Sequence, residues 1–315
     1  MTSGAQDASE DRRVLVVTHT GRAAAGEVAA AFVRRIREAG IRSRVLDDEH
    51  EYLARYGLGD VESCAADEKA AADCELVVVF GGDGTILRGT ELARSAETPL
   101  LGVNLGHVGF LAESDVDDLD ITVDRVVARE YVVEERLTLD VDVTVNGDRV
   151  ASTWALNEAS VEKAARERML EVVAEIDGRP LSRWGCDGVV CATPTGSTAY
   201  SFSAGGPVVW PDVEAIVMVP ISAHALFARP MVASPDSTLA IEVLAGTLGS
   251  GVLWCDGRRT FELPPGARVE VRRGRQPVRL ARLHSASFTD RLVRKFDLPV
   301  SGWRGRGAAG SGVSD

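Results

Sequence analysis

The stretch Glu75-Leu-Val-Val-Val-Phe-Gly-Gly-Asp-Gly-Thr85 runs from strand to turn to helix without a spacer. Its unbroken apolar run reads as a strand buried on both faces, the kind found inside a parallel sheet. Gly81, Gly82, Asp83, Gly84 and Thr85 follow at once, and then the helical pattern Ile86-Leu87-Arg88-Gly89-Thr90-Glu91-Leu92-Ala93. Glycines let the backbone come close to a ligand and turn its amides towards phosphate oxygens at a helix N-terminus. An aspartate repels phosphate, so a loop that only binds phosphate does not account for Asp83. A carboxylate that accepts a proton, or manages a metal, while a phosphoryl group moves does account for it. The alternative is a tight strand-to-helix turn with Asp83 as N-cap, and short motifs of this kind also recur without function.

Outward from this loop, residues 13–130 alternate strand-like and helix-like patterns. Val14-Leu-Val-Val17 is a buried-strand run. Ala23 to Ala39 is helical, with Val28, Phe32 and Ile36 four apart, and Gly40 ends it. Ile41 to Leu46, Leu76 to Phe80 and Leu100 to Asn104 are further strands, and Asp47 to Asp73 reads as part loop, part helix. Strands separated by helices predict a Rossmann-like parallel sheet with right-handed crossovers, whose ligands bind at the carboxyl ends of the strands. The glycine loop and the turn Asn104-Leu-Gly-His-Val-Gly-Phe110 would both lie there.

From Tyr131 the rhythm changes. Leu139-Asp-Val-Asp-Val-Thr-Val145 alternates strictly, and Asn146-Gly147 is a hairpin signal. Short strand candidates follow at 149–156, 170–176, 188–192, 216–219, 239–243, 268–272 and 278–283. Asp177-Gly178, Asp256-Gly257 and Pro264-Pro265-Gly266 punctuate them. The pattern predicts an antiparallel β-sandwich over residues 131–300, with a last short helix at 291–295. Residues 1–12 are expected to be flexible and the Gly-rich tail 301–315 disordered.

At 315 residues the chain has room for two such domains. No apolar run approaches the ~20 residues of a membrane span, and Met1 to Arg13 lacks the apolar middle of a signal peptide. A cytoplasmic protein without a membrane partner is expected. The net charge of −12 argues against broad nucleic-acid binding. A small anion can still be met by a local Arg or a row of amides. The five cysteines contain no Cys-x-x-Cys pair and read as free thiols, and the five scattered histidines argue against a structural zinc site.

A second concentration of chemistry lies at Cys186-Asp-Gly-Val-Val-Cys-Ala-Thr-Pro-Thr-Gly-Ser-Thr-Ala-Tyr-Ser-Phe-Ser-Ala-Gly-Gly-Pro207. A buried strand delivers a run of small hydroxyl residues and glycines, which let backbone and hydroxyls reach a ligand, while Tyr200 offers a face for stacking on a base. The competing reading is a Ser/Thr/Gly loop without a ligand. Asn157-Glu158 can donate to and accept from ribose hydroxyls or an adenine edge, or can be a turn at a strand end. His224 reads as a packed histidine.

These pieces, in this order, resemble the NAD kinase family from about Val14 to about Pro299. Gly81-Gly-Asp-Gly-Thr85 is similar to its glycine-aspartate motif, and Asn104-Leu-Gly-His-Val-Gly-Phe-Leu111 to the turn that follows. Asn157-Glu158 is similar to its ligand-binding pair, and Thr195-Gly-Ser-Thr-Ala-Tyr-Ser201 to its longest signature. Lipid kinases share the first motif and phosphofructokinases carry a related form; the last two motifs discriminate. At Ala223-His224-Ala225 the chain departs from the family, where Pro before the His and Thr or Ser after it are usual.

The resemblance implies phosphoryl transfer from ATP, or inorganic polyphosphate, to the adenosine-ribose 2′-hydroxyl of NAD, giving NADP. Asp83 would be the catalytic base. Gly81, Gly82, Gly84 and Thr85 would form the phosphate loop, and a divalent cation, Mg²⁺, would come with the donor. Asp83, Gly84 and Arg88 would also meet NAD. Asn157 and Glu158 would hold its adenosine end, with Phe110 and Tyr200 against the ring. Thr198, Ala199, Tyr200, Ser201, Phe202 and Ser203 would line the rest of the dinucleotide, and Arg168 and Asp187 its nicotinamide half. The resemblance further implies a homodimer or homotetramer joined through the β domain. A lipid kinase and a non-catalytic NAD(H) sensor are the readings that compete with it.

Overall fold

The computed structural model describes residues 12–300 apart from 106–108, 113, 116–117, 166–168, 248 and 284–286. Residues 1–11, the tail 301–315 and Arg168, each subject to an expectation above, lie outside the described residues. Val14–Val17 and Leu76–Phe80 are fully buried along their length. Strands apolar on both faces need cover on both faces, and parallel pairing with crossover helices supplies it. The two strands pair in parallel at the centre of an eight-stranded sheet. Its order is Glu62–Cys64, Arg42–Leu46, Arg13–Thr18, Leu76–Phe80, Leu100–Asn104, Val278–Arg282 and Val132–Arg136, with the short Ser114–Asp115 beside Leu100–Asn104.

The chain first builds outwards from Arg13–Thr18 to one edge, then returns to Leu76–Phe80 and builds towards the other. The crevice at such a reversal, beyond the carboxyl ends of the strands, is where doubly wound sheets bind ligands. Here it opens between Thr18 and Phe80. Helices Ala23–Glu38 and Leu119–Ala128 cover one face, packing Phe32, Val33, Ile36, Val123 and Val126 on Val14, Val16 and Val78. Helix Asp83–Ala93 covers the other, with Ile86, Leu87 and Leu92 on Leu15, Val17, Val77 and Val79. The connection read as part loop, part helix contains the helix Asp47–Ala54 and the edge strand Glu62–Cys64.

The second half forms two six-stranded antiparallel sheets facing one another. One runs Met231–Ala233, Ile216–Ile221, Gly188–Ala192, Glu158–Lys163, Gly251–Cys255, Arg259–Leu263. The other runs Arg179–Cys186, Leu170–Ile176, Leu239–Val243, Ala267–Arg273, Leu139–Val145, Asp148–Ala155. Leu139, Val141 and Val143 point inwards, as their alternation requires, onto a core that includes the fully buried Trp184. Asn146-Gly147, Asp177-Gly178 and Asp256-Gly257 all have both residues at positive φ, which matches the mirror-image turns of two-residue hairpins.

Three elements differ from expectation. Val132–Arg136 and Val278–Arg282 belong to the first sheet, not the sandwich: Leu280 pairs with Leu100, and the two strands pair antiparallel with each other. A five-residue strand does not declare which sheet it joins, and Val278–Arg282 returns to the first sheet from a stretch read as sandwich. Asn157-Glu158 does not end in a turn: Glu158 begins the strand Glu158–Lys163, central in its sheet, and residues 156–157 carry the chain from one sheet to the other. The last helix extends over Phe288–Phe296, capped by Ser287, whose hydroxyl accepts from the Thr289 amide.

Candidate active site

Helix Asp83–Ala93 starts as soon as the strand Leu76–Phe80 has ended, with Gly82 at its cap. Asp83 is therefore the first helical residue and not the N-cap. Its carboxylate turns across to the segment after Asn104, where Oδ2 accepts from the Phe110 amide and Oδ1 from the Leu111 amide, each at 3.4 Å. Gly109 makes this approach possible, because a Cβ there would stand 2.4 Å from Asp83 Oδ1. A Cβ on Gly82 or Gly84 would meet nothing within 4 Å, and neither glycine is at positive φ. Their missing side chains leave room for something outside the protein.

That room is part of a cleft of about 440 Å³ at the switch point, lined by Thr18, His19, Arg22, Gly82, Gly84, Thr85, Arg88 and Arg258. A helix N-terminus with its unpaired amides, ringed by arginines, suits an anion. Arg88 is shared with two carboxylates: Nη2 donates to Asp48 at 2.6 Å and Nη1 to Glu49 at 2.9 Å. Glu49 is fully buried and also accepts from the Thr18 amide at 2.7 Å. Burial pushes its carboxyl up to about 7, against the pull of that amide and of Arg88. The sequence conceals Glu49, since Asp47-Asp48-Glu49 looks like the solvated acidic first turn of a helix.

The hydroxyl-rich segment meets Asn157-Glu158 directly. Thr193 donates its amide to the Asn157 carbonyl at 2.9 Å and its hydroxyl to the Leu156 carbonyl at 2.6 Å. The Gly196 amide donates back to the Thr193 hydroxyl at 3.0 Å. Only glycine fits at 196, where a Cβ would lie 1.9 Å from the Asn157 carbonyl oxygen. Gly196–Thr198 then makes one 3₁₀ turn and Tyr200–Ser203 one helical turn. Burial, and next the charge of Asp256, push the Glu158 carboxyl up to about 8, with the Tyr200 amide pulling the other way. Glu158 Oε2 and Ser201 Oγ are buried without a hydrogen-bond partner among the described residues. Orphaned buried polar atoms of this kind need a ligand or water.

The Phe110 ring lies against Phe288 and Phe296 of the last helix, at centroid distances of 6.0 and 5.8 Å, and Phe202 stacks on Phe296 at 4.6 Å. This aromatic group borders a second cavity of about 500 Å³, lined among others by Phe110, Thr195, Thr198, Trp210, Phe288 and Arg291. Tyr200 is partly exposed, its hydroxyl raised by burial and by Glu162.

Asp187 stands apart from these groups. Glu162 pairs with Gly188 four residues along the strand from Glu158, a separation of about 13 Å. Asp187 Oδ1 pairs with Lys163 Nζ at 2.5 Å, which holds its carboxyl below the usual range. His224 is exposed rather than packed, and bridges Gly185 through its backbone. Among the described residues no group of three or more His, Cys, Asp or Glu side chains gathers as a metal cage, and none of the five cysteines is paired.

Known proteins share this arrangement. Residues 14–131 match the family described as ATP-NAD kinase N-terminal domain, and residues 156–283 the ATP-NAD kinase C-terminal domain. The chain is 64% identical over 295 residues to NAD kinase 2 of Streptomyces coelicolor, covering 93% of this chain and 97% of that one. It is 59% identical over 312 residues to the NAD kinase of Thermobifida fusca, covering 97% and 95%. Yeast NADH kinase, solved with NADH, has the same fold at a TM-score of 0.81 and 24% identity, covering 94% of this chain and 90% of that one. An Archaeoglobus fulgidus NAD kinase solved with ATP superposes at 0.65, also 24% identical, covering 91% and 100%. With two domains matched and close relatives aligned along nearly their whole length, the chain belongs to the ATP-NAD kinase family and is an NAD kinase.

Proposed function

We propose that this chain transfers the terminal phosphoryl group of ATP, or of polyphosphate, to the 2′-hydroxyl of the adenosine ribose of NAD, with Asp83 as general base. The observation that carries the reading is the position of Asp83. It stands at the boundary between the cationic cleft on the Gly82 side and the Phe110 segment on the other. A donor in that cleft has its phosphates on the first-turn amides and near His19, Arg22 and Arg258. The 2′-hydroxyl gives its proton to the Asp83 carboxylate as its oxygen bonds to phosphorus. The bond to the bridging oxygen breaks, and ADP, or polyphosphate one unit shorter, leaves with the electron pair.

Asn157 and Glu158 hold the adenosine, and the residues from Thr198 to Ser203 line the dinucleotide. The buried, unpartnered oxygens of Glu158 and Ser201 support this assignment. A divalent cation, Mg²⁺, would come with the donor and would neutralise charge on its phosphates. What the chain offers at that point is the Asp83 carboxylate and the open backbone at Gly82 and Gly84.

We further propose a homodimer or homotetramer in the cytoplasm. Asp187 is distant from Glu158 along the strand, and the exposed Leu181, with Leu226 and Phe227 on the segment whose His224 bridges Gly185, adds apolar surface beside it, which supports a site completed by a neighbouring subunit. Five unpaired thiols suit a reducing compartment. Purified protein incubated with NAD, Mg²⁺ and either ATP or polyphosphate should form NADP. Asp83→Asn should lower that turnover by about 10²–10⁴-fold with little change in NAD binding. Turnover near wild type in the Asn variant rules out the base.

A further inference from the structure

One buried carboxylate outside the assigned groups has an unusual set of partners. Asp256 opens the turn between Gly251–Cys255 and Arg259–Leu263, at φ +55°, and is 6% exposed. Its Oδ2 accepts from the Leu156 amide at 2.9 Å, and its Oδ1 from the Asn157 amide at 2.7 Å and the Glu158 amide at 3.4 Å. One side chain thus fixes three successive amides of the segment that crosses between the sheets. A two-residue hairpin requires nothing of the kind, since Asn146-Gly147 makes the same turn on the surface. A buried carboxylate is costly unless its hydrogen bonds are needed.

Asp256 is also tied to the α/β half. Arg259 Nη2 donates to Asp256 Oδ2 at 2.7 Å, while Arg259 Nε makes an ion pair with Glu91 Oε1 at 3.2 Å. Arg258 Nε donates to the other Glu91 oxygen at 3.2 Å, and Arg258 lines the cleft at the glycine loop. Glu91 sits on the helix that begins with Asp83, about two turns further on. Trp154, close before the crossing segment, lies 4.4 Å from the Arg259 guanidinium and so braces it. The contacts therefore run from the amides of Asn157 and Glu158 through Asp256, Arg259 and Glu91 to the helix that presents Asp83.

We infer that the turn from Asp256 to Arg259, with Glu91, is a positioning element that holds the nucleoside-binding pair Asn157-Glu158 in register with Asp83 across the two domains. The inference rests on the function proposed above. A hydroxyl held by one half must meet a phosphoryl group and a base held by the other, and a misplacement near 1 Å costs up to about 10²-fold in rate. Asp256, Arg259 and Glu91 do not line the cleft of the glycine loop, so their effect reaches the chemistry only through geometry.

The test compares wild type with Glu91→Gln, Arg259→Gln, the double variant and Asp256→Asn. Glu175→Gln serves as control, breaking the Arg268–Glu175 pair (2.7 Å) of the far sheet. Melting temperature, calorimetric Kd and stoichiometry for NAD, and NADP formation at saturating Mg-ATP are measured for each. Glu91→Gln and Arg259→Gln should each lower kcat by about 10- to 100-fold while NAD stoichiometry and Kd stay near wild type. The double variant should be no worse than the poorer single, because both cut one tether. Asp256→Asn should in addition weaken NAD binding, and Glu175→Gln should match wild type. Losses that multiply in the double variant, kcat losses that only follow a reduced binding stoichiometry, or wild-type kcat in both singles overturn the inference. If Asp256→Asn fails to fold, the Glu91 and Arg259 variants decide, since they leave the carboxylate under the amides. A wild type that makes no NADP overturns the proposed function and this inference with it. An active wild type with indifferent tether variants overturns the inference alone.

Discussion

Gly109→Ala should damage catalysis by displacing one carboxylate. The Cβ of the alanine would stand 2.4 Å from Asp83 Oδ1, 3.0 Å from Cγ and 3.2 Å from Oδ2, whereas ordinary contact begins at 3.4 Å. The gap to be made up is 3.4 − 2.4, about 1 Å. Gly109 is not at positive φ, so alanine meets no backbone penalty there. The Asp83 side chain is held against this segment by two long contacts of 3.4 Å, to the Phe110 and Leu111 amides, and is the group that yields. A shift of about 1 Å in a catalytic group is worth up to about 10²-fold. The expected result is a kcat lower by about 10- to 100-fold, with NAD affinity by calorimetry and melting temperature close to wild type. In an Asp83→Asn background the same substitution should add little, because both changes act on one carboxylate. Full activity in Gly109→Ala, or losses that multiply in the double variant, would refute this account of Asp83.

Asn157→Ala removes a contact to the bound nucleoside and not to the moving phosphoryl group, so NAD binding should weaken by about 1–3 kcal/mol with an unchanged Michaelis constant for the donor; wild-type affinity by calorimetry counts against it. Glu158 holds its proton up to about pH 8 when folded but releases it near 4.5 when unfolded, so its contribution to stability is complete below 4.5 and is lost as pH rises towards 8. Glu158→Gln should therefore raise the ligand-free melting temperature at pH 8 and leave it unchanged at pH 4.5, and an equal gain at both pH values would refute the sign. Asp83→Asn and Asp187→Ala, each expected to be strongly impaired alone, should recover activity when unfolded, mixed and refolded together if one site draws on two chains. Hybrids that form and stay inactive place both residues in one chain's site.

The central strands were legible because Val14–Val17 and Leu76–Phe80 are apolar on both faces, a pattern that only a covered parallel sheet satisfies. The hairpins were legible because Asn-Gly and Asp-Gly supply the two positive φ values their turns require. Val278–Arg282 was not, since its place beside Leu100 depends on a chain return across nearly the whole sequence, and five residues carry no address. At the site, Asp83 and Asn157-Glu158 stood out because polar groups follow apolar runs. Glu49 and Asp256 did not, although both are buried. Each looks like an ordinary acid of a helix start or a turn until the fold brings Thr18 and Arg88, or three amides of another strand, against it. Phe110, which the resemblance sets against an adenine, also packs on Phe288 and Phe296 of the last helix, a contact that no local pattern announces.

A chain with a net charge of −12 that binds anionic substrates must suppress its own repulsion where they meet. The arrangement of acids around the cleft does this by burial. Glu158 stays protonated up to about pH 8 and Glu49 up to about pH 7, so two carboxyls beside the substrates carry little or only part of their charge near neutrality. Asp83 differs, since it faces amides on one side and the open glycine backbone on the other. It is only partly buried, whereas Glu49 and Glu158 are buried. Glu49 and Glu158 are thus desolvated, while the carboxylate proposed to take a proton sits between two glycines that line the cleft. That division of environments, more than the glycine motif, separates a base from the structural acids around it.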